Sequence, residues 1–259
     1  INSVDSMYSS IMIPDMDLNI DDNDTAGITV APTLVGTTVN EGGAVYARLK
    51  EVVEEALSVQ ISDDALRPAL GANKREAIAG FLKTFRGAAD PAEVERLFLE
   101  FRGRLEQTYR DTPPTALPGV AEAIQRMRAA GMQVALTTGF DRGVTQMILD
   151  AIDWTVGPTP EHTVDFAITS DDVSLGRPAP ELIQVAMQRA GVTDTDQVLA
   201  AGDTELDLAA GINAGTKYVI AVSTGAQSAE HLATFPHTHV CDVRDLPELL
   251  GLAAPALAE

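Results

Sequence analysis

The sequence predicts an α/β fold: a doubly wound, mainly parallel Rossmann-like sheet with an inserted all-helical domain. From Leu117 onward, short apolar runs alternate with segments of helical periodicity. Short links between such strands and helices require helical crossovers, which place the strands in parallel. Between residues 41 and 115 the segments have helical periodicity and no strand pattern occurs. A purely helical block between two strands of an α/β pattern is typical of an inserted domain.

The same pattern divides the chain into three parts. Residues 28–40 and 116–259 are predicted to form the sheet domain, and residues 41–115 the helical domain. Residues 1–27 are acidic, rich in Asn and Ser, and without clean periodicity. We therefore expect them to form a poorly ordered extension outside the fold.

Apolar runs and proline or glycine breaks predict the elements in order. The first core strand is expected within ITVAPTLVGTTV (28–39), although Pro32 lacks the N–H that a central strand donates to its neighbour. The insert is predicted to contain helices at 44–57, 63–70, 73–85 and 91–109. The rest of the core is predicted to contain strands at 132–138, 165–169, 197–202, 218–223 and 238–243, with helices before, between and after them.

Charge restricts the class of partner. The chain has 18 basic and 38 acidic residues, a net charge of -20, whereas nucleic acids and anionic membranes bind basic surfaces. No apolar run approaches the ~18–20 residues of a membrane span. One cysteine, Cys241, precludes an internal disulfide and fits a reducing cytoplasm, where we expect the protein. We expect neither nucleic acid nor membrane as a partner.

Two carboxylates follow a predicted strand in VLAAGDTELDLAAGINAG (198–215). Asp203 and Asp207 come directly after the apolar run and enter the next helix. Ligands of open α/β sheets bind beyond the carboxyl ends of the strands, so these acids are candidates for holding a metal ion. The alternative is that Asp203 caps the helix and Asp207 faces solvent.

This stretch resembles the last motif of the haloacid dehalogenase-like hydrolase superfamily. Three further stretches resemble the other motifs in order: VGTTVNEG (35–42), VALTTGFDR (134–142) and GRPAPELI (176–183). GTTV, TTGFDR and GRPAP resemble the phosphonatase-like branch. The resemblance implies Mg²⁺-dependent hydrolysis of a small anionic phosphorylated or phosphono metabolite, beneath a helical cap. By analogy with phosphonatases, it also implies a homodimer formed through the cap.

The resemblance implies a metal site and a phosphate site. From the residues alone, one of the two adjacent threonines after the strand VAL could equally cap a turn. The implied ligands are Asp203, Asp207 and the main-chain carbonyl of Val35 for Mg²⁺, and Thr137, Thr138, Gly36 and Thr37 for the phosphate oxygens.

Two cations complete the implied site. Arg177 would offset charge between nucleophile and phosphate, or it is a solvated surface side chain. Lys74, in LGANKREAI, resembles the phosphonatase lysine that forms an imine with an aldehyde, but the position of the helper histidine holds Ala77. A simple contact with the substrate, or a solvated ion pair with Glu76, is the alternative for Lys74.

The nucleophile position of the superfamily falls on Thr33. Its hydroxyl is un-ionised at neutral pH, cannot form an acyl-phosphate and removes one anionic metal ligand. Val35 also replaces the acid/base aspartate of related phosphatases, a change that phosphonatases tolerate. Asp15 and Asp17 follow an earlier apolar run in a similar pattern, but they lack the Gly-Thr step. We therefore expect impaired activity.

Three functions are consistent with these motifs. The first is a phosphonatase-like hydrolase with impaired activity. The second is a catalytically inactive relative that works as a binding or scaffold protein. The third is a different reaction in the same pocket, which uses Lys74 or a metal-bound water.

Restoring the nucleophile tests whether position 33 alone limits activity. We expect Thr33→Asp to raise Mg²⁺-dependent phosphate release by at least ~10²-fold, because a carboxylate can form the covalent intermediate. Thr33→Asn, which lacks that charge, is the control. A folded Thr33→Asp variant with no gain would show that other parts of the site have changed too.

Overall fold

The computed structural model describes the backbone of residues 29–32 and all of residues 37–252. The extension at residues 1–27, with Asp15 and Asp17, and the predicted site positions Thr33, Val35 and Gly36 lie outside the described residues. The described strands are β1 (Thr29–Pro32), β2 (Val39–Asn40), β3 (Thr115–Ala116), β4 (Gln133–Thr137), β5 (Phe166–Ile168), β6 (Val198–Gly202), β7 (Tyr218–Val222) and β8 (His239–Cys241).

The described α-helices occupy most of the predicted positions. They are α1 (Ala44–Leu57), α2 (Asp63–Leu66), α3 (Lys74–Arg86), α4 (Pro91–Asp111), α5 (Val120–Ala129), α6 (Arg142–Ala151), α7 (Glu181–Ala190), α8 (Glu205–Ala214), α9 (Ala229–Leu232) and α10 (Leu246–Leu249).

The central sheet confirms the predicted fold class. Its six strands are parallel and lie in the order β5-β4-β1-β6-β7-β8. All residues of β6 and β7 are buried, as expected for parallel strands with helices on both faces. The carboxyl ends of β4, β1 and β6 therefore lie side by side at the centre of the sheet. Loops from separate parts of the chain converge at this end of the strands.

Pro32 does not prevent the first strand from forming. β1 lies between β4 and β6, and Pro32 pairs with Ala201 of β6. On the β4 side the recorded pairs are Thr29 with Gln133 and Val30 with Val134. Pro32 is the last residue of the strand, so its missing N–H affects only the end of the ladder.

The helices α1–α4 lie between two short strands that the sequence pattern did not predict. β2 and β3 pair antiparallel, with Val39 opposite Ala116, at the places where the chain leaves and re-enters the core. Two residues are too few to show periodicity, so no pattern could predict them. We call residues 41–115 the helical insert.

Side-chain caps set the starts of the insert helices. Ser62 accepts from the Ala65 N–H before α2, Asn73 accepts from the N–H groups of Arg75 and Glu76 before α3, and Asp90 accepts from Ala92 before α4. The apolar faces pack together, and the fully buried side chains include Leu49, Ile78, Leu82, Leu97, Phe101 and Leu105. Within residues 37–252, no helix combines the length and apolar character needed to cross a membrane.

A glycine brings α8 close to the sheet. A Cβ added at Gly211 would lie 3.0 Å from Ala200 Cβ of β6 and 3.1 Å from Val219 Cγ2 of β7. This close packing places the start of α8, with its acidic residues, against the end of β6.

A pair of glycine substitutions tests this packing. We expect Gly211→Val to lower the free energy of unfolding by about 1–3 kcal/mol, because the side chain overpacks the contact with the sheet. Gly80→Ala in α3, where an added Cβ meets no described atom within 4 Å, should raise it by about 0.5–1 kcal/mol. Urea denaturation measures both changes, and similar effects of the two substitutions would contradict the close approach of α8.

Candidate active site

A cavity of about 400 Å³ lies at the carboxyl ends of the core strands. One wall is formed by lining residues between 39 and 46, where the chain passes from the core into the insert, and by Gly71 and Lys74 of the insert. The opposite wall belongs to the loops after β4, β6 and β7 and to Arg177. Residues that are distant in sequence therefore face one cavity.

The loop before α3 packs directly on the core loops. Gly71 has φ +76°, and an added Cβ there would lie 2.4 Å from Thr204 Oγ1. A Cβ at Gly139 would lie 3.0 Å from the Ala72 carbonyl oxygen. A side chain at either position would separate the insert from the core, so these glycines permit closure of the cavity.

A buried ion pair joins Arg177 to Asp207. Arg177 Nε lies 2.8 Å from Asp207 Oδ1, and each side chain is 4% exposed. Arg177 Nη2 also donates to Thr137 Oγ1 at 2.7 Å, and Nη1 lies 3.4 Å from the Gly71 carbonyl oxygen. The alternative of a solvated Arg177 is therefore wrong.

Asp207 is held from two sides. Besides its contact with Arg177, its Oδ2 accepts from the Thr204 N–H at 3.0 Å and from Thr204 Oγ1 at 2.6 Å. Asp207 and Thr204 form a reciprocal capping box at the start of α8. The alternative that Asp207 faces solvent is therefore wrong, and its carboxylate orients Arg177.

Asp203, unlike Asp207, is among the residues that line the cavity. Its Oδ2 accepts from the Ala226 N–H at 2.6 Å, while its buried Oδ1 has no hydrogen-bond partner among the described residues. Burial, followed by the charge of Asp207, raises the pKa of Asp203 to about 7. The residue that caps α8 is Thr204, so the alternative that Asp203 is merely the cap is wrong.

The predicted threonines differ in accessibility. Thr138 lines the cavity, and its Oγ1 accepts from the Phe140 N–H at 3.2 Å, which leaves its hydroxyl hydrogen for a ligand. Thr137 is buried behind it, and its hydroxyl accepts from Arg177. Thr37 is fully buried and is not among the described lining residues.

Lys74 is buried at the start of α3, with 4% of its surface exposed. Its Nζ donates to the Ala72 carbonyl at 2.8 Å and lies 5.2 Å and 5.7 Å from the ring centres of Tyr46 and Phe140. Burial, followed by the charge of Arg177, lowers the pKa of Lys74 to about 8, and Glu41 and Asp207 partly offset this. The neutral amine is therefore more accessible near physiological pH than in an exposed lysine.

The predicted alternative of an exposed ion pair between Lys74 and Glu76 is wrong. Glu76 instead accepts from the Gly176 N–H at 3.0 Å, across the boundary between insert and core. A second contact across this boundary joins Arg102 of α4 to Asp141, the N-cap of α6, at 3.4 Å. These two contacts join the insert, which carries Lys74, to the core.

Sequence comparison decides the family. Residues 33–215, well over half of the chain, match the profile of the haloacid dehalogenase-like hydrolases. The chain belongs to the haloacid dehalogenase-like hydrolase family.

Similar proteins include a phosphonoacetaldehyde hydrolase of Latilactobacillus sakei, 28% identical over 191 residues that cover 70% of this chain and 69% of that protein. The chain spans less than two thirds of several other relatives of that name. Among solved structures, a hydrolase from Pseudomonas syringae has a TM-score of 0.73 at 19% identity, covering 88% of this chain and 100% of that one. A phosphonoacetaldehyde hydrolase-like protein from Oleispira antarctica has a TM-score of 0.70 at 19% identity, covering 88% and 92%. At such identities the structures share the fold alone.

The described residues of this haloacid dehalogenase-like hydrolase offer limited ligation for Mg²⁺. Asp203 Oδ1 is a buried anionic oxygen that a hard cation would satisfy. Asp207 is engaged by Arg177 and Thr204. Within residues 37–252, no group of three His, Cys, Asp or Glu side chains is arranged to hold a metal ion. Asp203 therefore fits the predicted ion, whereas Asp207 acts through Arg177 in this arrangement.

Sequence reasoning missed several residues of the cavity, among them Glu41 and Tyr46. Glu41 Oε2 accepts from the Val45 N–H at 2.8 Å, and burial raises its pKa. The Tyr46 hydroxyl accepts from the Gly71 N–H at 3.0 Å. Both lie at the start of an amphipathic helix, where a glutamate and a tyrosine carry no motif signal.

Removing the buried amine should stabilise the protein. The folded state lowers the pKa of Lys74 to about 8, while the unfolded amine titrates near ~10.4. Below pH 8 the folded state must therefore hold a charge that burial disfavours, and this cost declines as the pH rises toward 10. We expect Lys74→Met to raise the free energy of unfolding by about 1–3 kcal/mol at pH 7 and by less at pH 10.

Lys83→Met, at an exposed position of the same helix, is the matched control and should change stability by less than about 0.5 kcal/mol. Denaturant titrations at both pH values measure the effect. A gain for Lys74→Met that does not depend on pH would contradict the lowered pKa.

Proposed function

We propose that this chain is a phosphonatase-like member of the family that binds a small phosphono or phosphorylated carbonyl compound. Its hydrolysis by the covalent route is impaired because Thr33 stands at the nucleophile position. The observation that carries the proposal is the buried Lys74 amine, which lines the cavity with a lowered pKa and under the influence of the Arg177 charge.

The cations and the Thr138 hydroxyl are suited to an anionic group. In a chain of net charge -20, an anion needs a local positive site. Arg177 and Lys74 supply that charge, and Thr138 can donate its hydroxyl hydrogen. Phosphonyl and phosphoryl groups have the charge and the several acceptor oxygens that such donors bind.

Lys74 can add imine chemistry to this site. The neutral Nζ attacks a carbonyl carbon, the carbonyl oxygen takes up protons and leaves as water, and a protonated imine remains. That imine can accept an electron pair from a neighbouring bond. A lysine requires the neutral amine for the first step, which its burial provides near pH 8.

Mg²⁺ is the proposed cofactor, with a weakened site. Asp203 Oδ1 and the Val35 carbonyl would hold it, whereas the Asp207 carboxylate is engaged by Arg177 and Thr204. When bound, the ion would offset negative charge on the phosphorus group. Thr33 removes one anionic ligand, so we propose weaker binding than an aspartate at that position would give.

A binding or scaffold protein without turnover is the second candidate. Thr33 favours it, since an un-ionised hydroxyl cannot replace the nucleophile. The acidic segment at residues 1–27 is consistent with a protein partner. A homodimer through the helical insert belongs with either candidate and can be tested by analytical ultracentrifugation.

Borohydride trapping tests the proposed role of Lys74. We expect phosphonoacetaldehyde with sodium borohydride to leave a reduced adduct on Lys74, located by peptide mass spectrometry, because reduction fixes the imine as a stable amine. The Lys74→Met variant should remain unmodified, and exposed Lys83 is the internal control for non-specific labelling. Equal labelling of both lysines would contradict an activated amine.

Phosphate release in the same mixtures separates the two candidate functions. Slow release with Mg²⁺ that is lost in Asp203→Asn supports a hydrolase with impaired activity. Trapping without any release supports the binding protein. Neither trapping nor release, in folded protein, would overturn the proposal.

A further inference from the structure

Glu41 is the acidic residue of the cavity wall formed by the insert. It follows β2, lines the cavity, and its carboxylate is held by the first-turn amides of α1, with the Val45 N–H at 2.8 Å. The Tyr109 hydroxyl of α4 lies 3.5 Å from the same oxygen. These partners are neutral donors, so they position the carboxylate without cancelling its charge.

The charged residues that line the cavity differ in whether they form an ion pair. The described charged residues are Glu41, Lys74, Arg177 and Asp203. Arg177 belongs to the wall formed by the core and is paired with Asp207. Glu41 makes no ion pair with any described residue, and its charge acts on Lys74, whose pKa it raises in opposition to burial. Glu41 thus contributes a negative charge that no described ion pair neutralises, and Lys74 on the same wall offsets it only in part because burial lowers the pKa of Lys74.

This arrangement of charges would orient a ligand in the cavity. A phosphonyl or phosphoryl group is attracted to the core wall, where Arg177 and Thr138 lie. The rest of a bound molecule then extends toward the insert wall, where Glu41 lies. A second acidic group there would face the Glu41 carboxylate, and like charges at close range repel each other.

We propose that Glu41 selects ligands by the charge of the end that is remote from phosphorus. The ligand class is a compound with one phosphonyl or phosphoryl group and a neutral or cationic remainder, and compounds with a second acidic group are rejected. This inference rests on the proposed function, because it assumes that the core wall binds the phosphorus group.

A purely structural role for Glu41 is separable from this selection. The carboxylate also caps the first turn of α1 through the Val45 N–H. The substitution Glu41→Gln keeps a side-chain oxygen that can accept this hydrogen bond and removes the charge. A loss of structure would weaken all ligands together, whereas a loss of charge selection changes their ratio.

Calorimetric titration at pH 8 with three probes tests the proposal. Propylphosphonate, 3-aminopropylphosphonate and 3-phosphonopropionate share the phosphonate head and differ in the charge of the tail. For the unmodified protein, we expect 3-phosphonopropionate to bind at least ~10-fold more weakly than the other two. In Glu41→Gln this ratio should shrink several-fold. Glu122→Gln, the same change at an exposed position outside the cavity, should leave the ratio unaltered.

Each outcome has a distinct meaning. A gap among the probes that narrows in Glu41→Gln alone supports the proposal. Equal affinities in the unmodified protein, or a gap that persists in Glu41→Gln, overturn it while leaving the proposed function intact, since propylphosphonate still binds. Failure of all three probes and of inorganic phosphate to bind would overturn both the proposed function and this inference.

Discussion

The buried ion pair between Arg177 and Asp207 is the interaction on which the site depends. It joins the loop before α7 to the start of α8, and its remaining contacts reach Thr137 at the end of β4 and the backbone of Gly71 in the insert. Taking two charges out of water is costly, and only close geometry with additional hydrogen bonds compensates for it. Thr204 and Thr137 supply those bonds. Loss of either partner would leave an uncompensated charge in the interior, at a cost of about 3–5 kcal/mol.

The contribution of this ion pair to stability does not depend on catalytic activity. Loss of Arg177 or Asp207 alone would cost stability whether or not the chain turns over a substrate, because the other charge would stay buried without its partner. The departure that we propose lies instead at Thr33, where a neutral side chain would replace a charged one. The motifs therefore establish membership of the family, while the residue at position 33 and the ligands of the cavity bear on turnover.

The fold was predictable because its signals are local. The bounds of α1 and the alternation from α5 to β8 follow from periodicity and from glycine and proline breaks, and the sheet confirms them. Residues of the site are different, since their roles arise from tertiary contacts. No sequence pattern indicates that Lys74 is enclosed by Tyr46 and Phe140 and has a lowered pKa, or that Asp207 turns toward Arg177. Glu41 has no signal, because a glutamate before a helix is ordinarily part of its first turn.

The short β2–β3 ladder has a mechanical consequence. Both chain crossings between core and insert pass through paired residues, Val39 with Ala116 and Asn40 with Thr115. The ladder therefore ties the two crossings to each other. Glu41 lies one residue beyond the ladder, and Lys74 belongs to the helices that the crossings enclose. The acidic and the basic side chain of this cavity wall are thus fixed to the core through the same two-residue ladder.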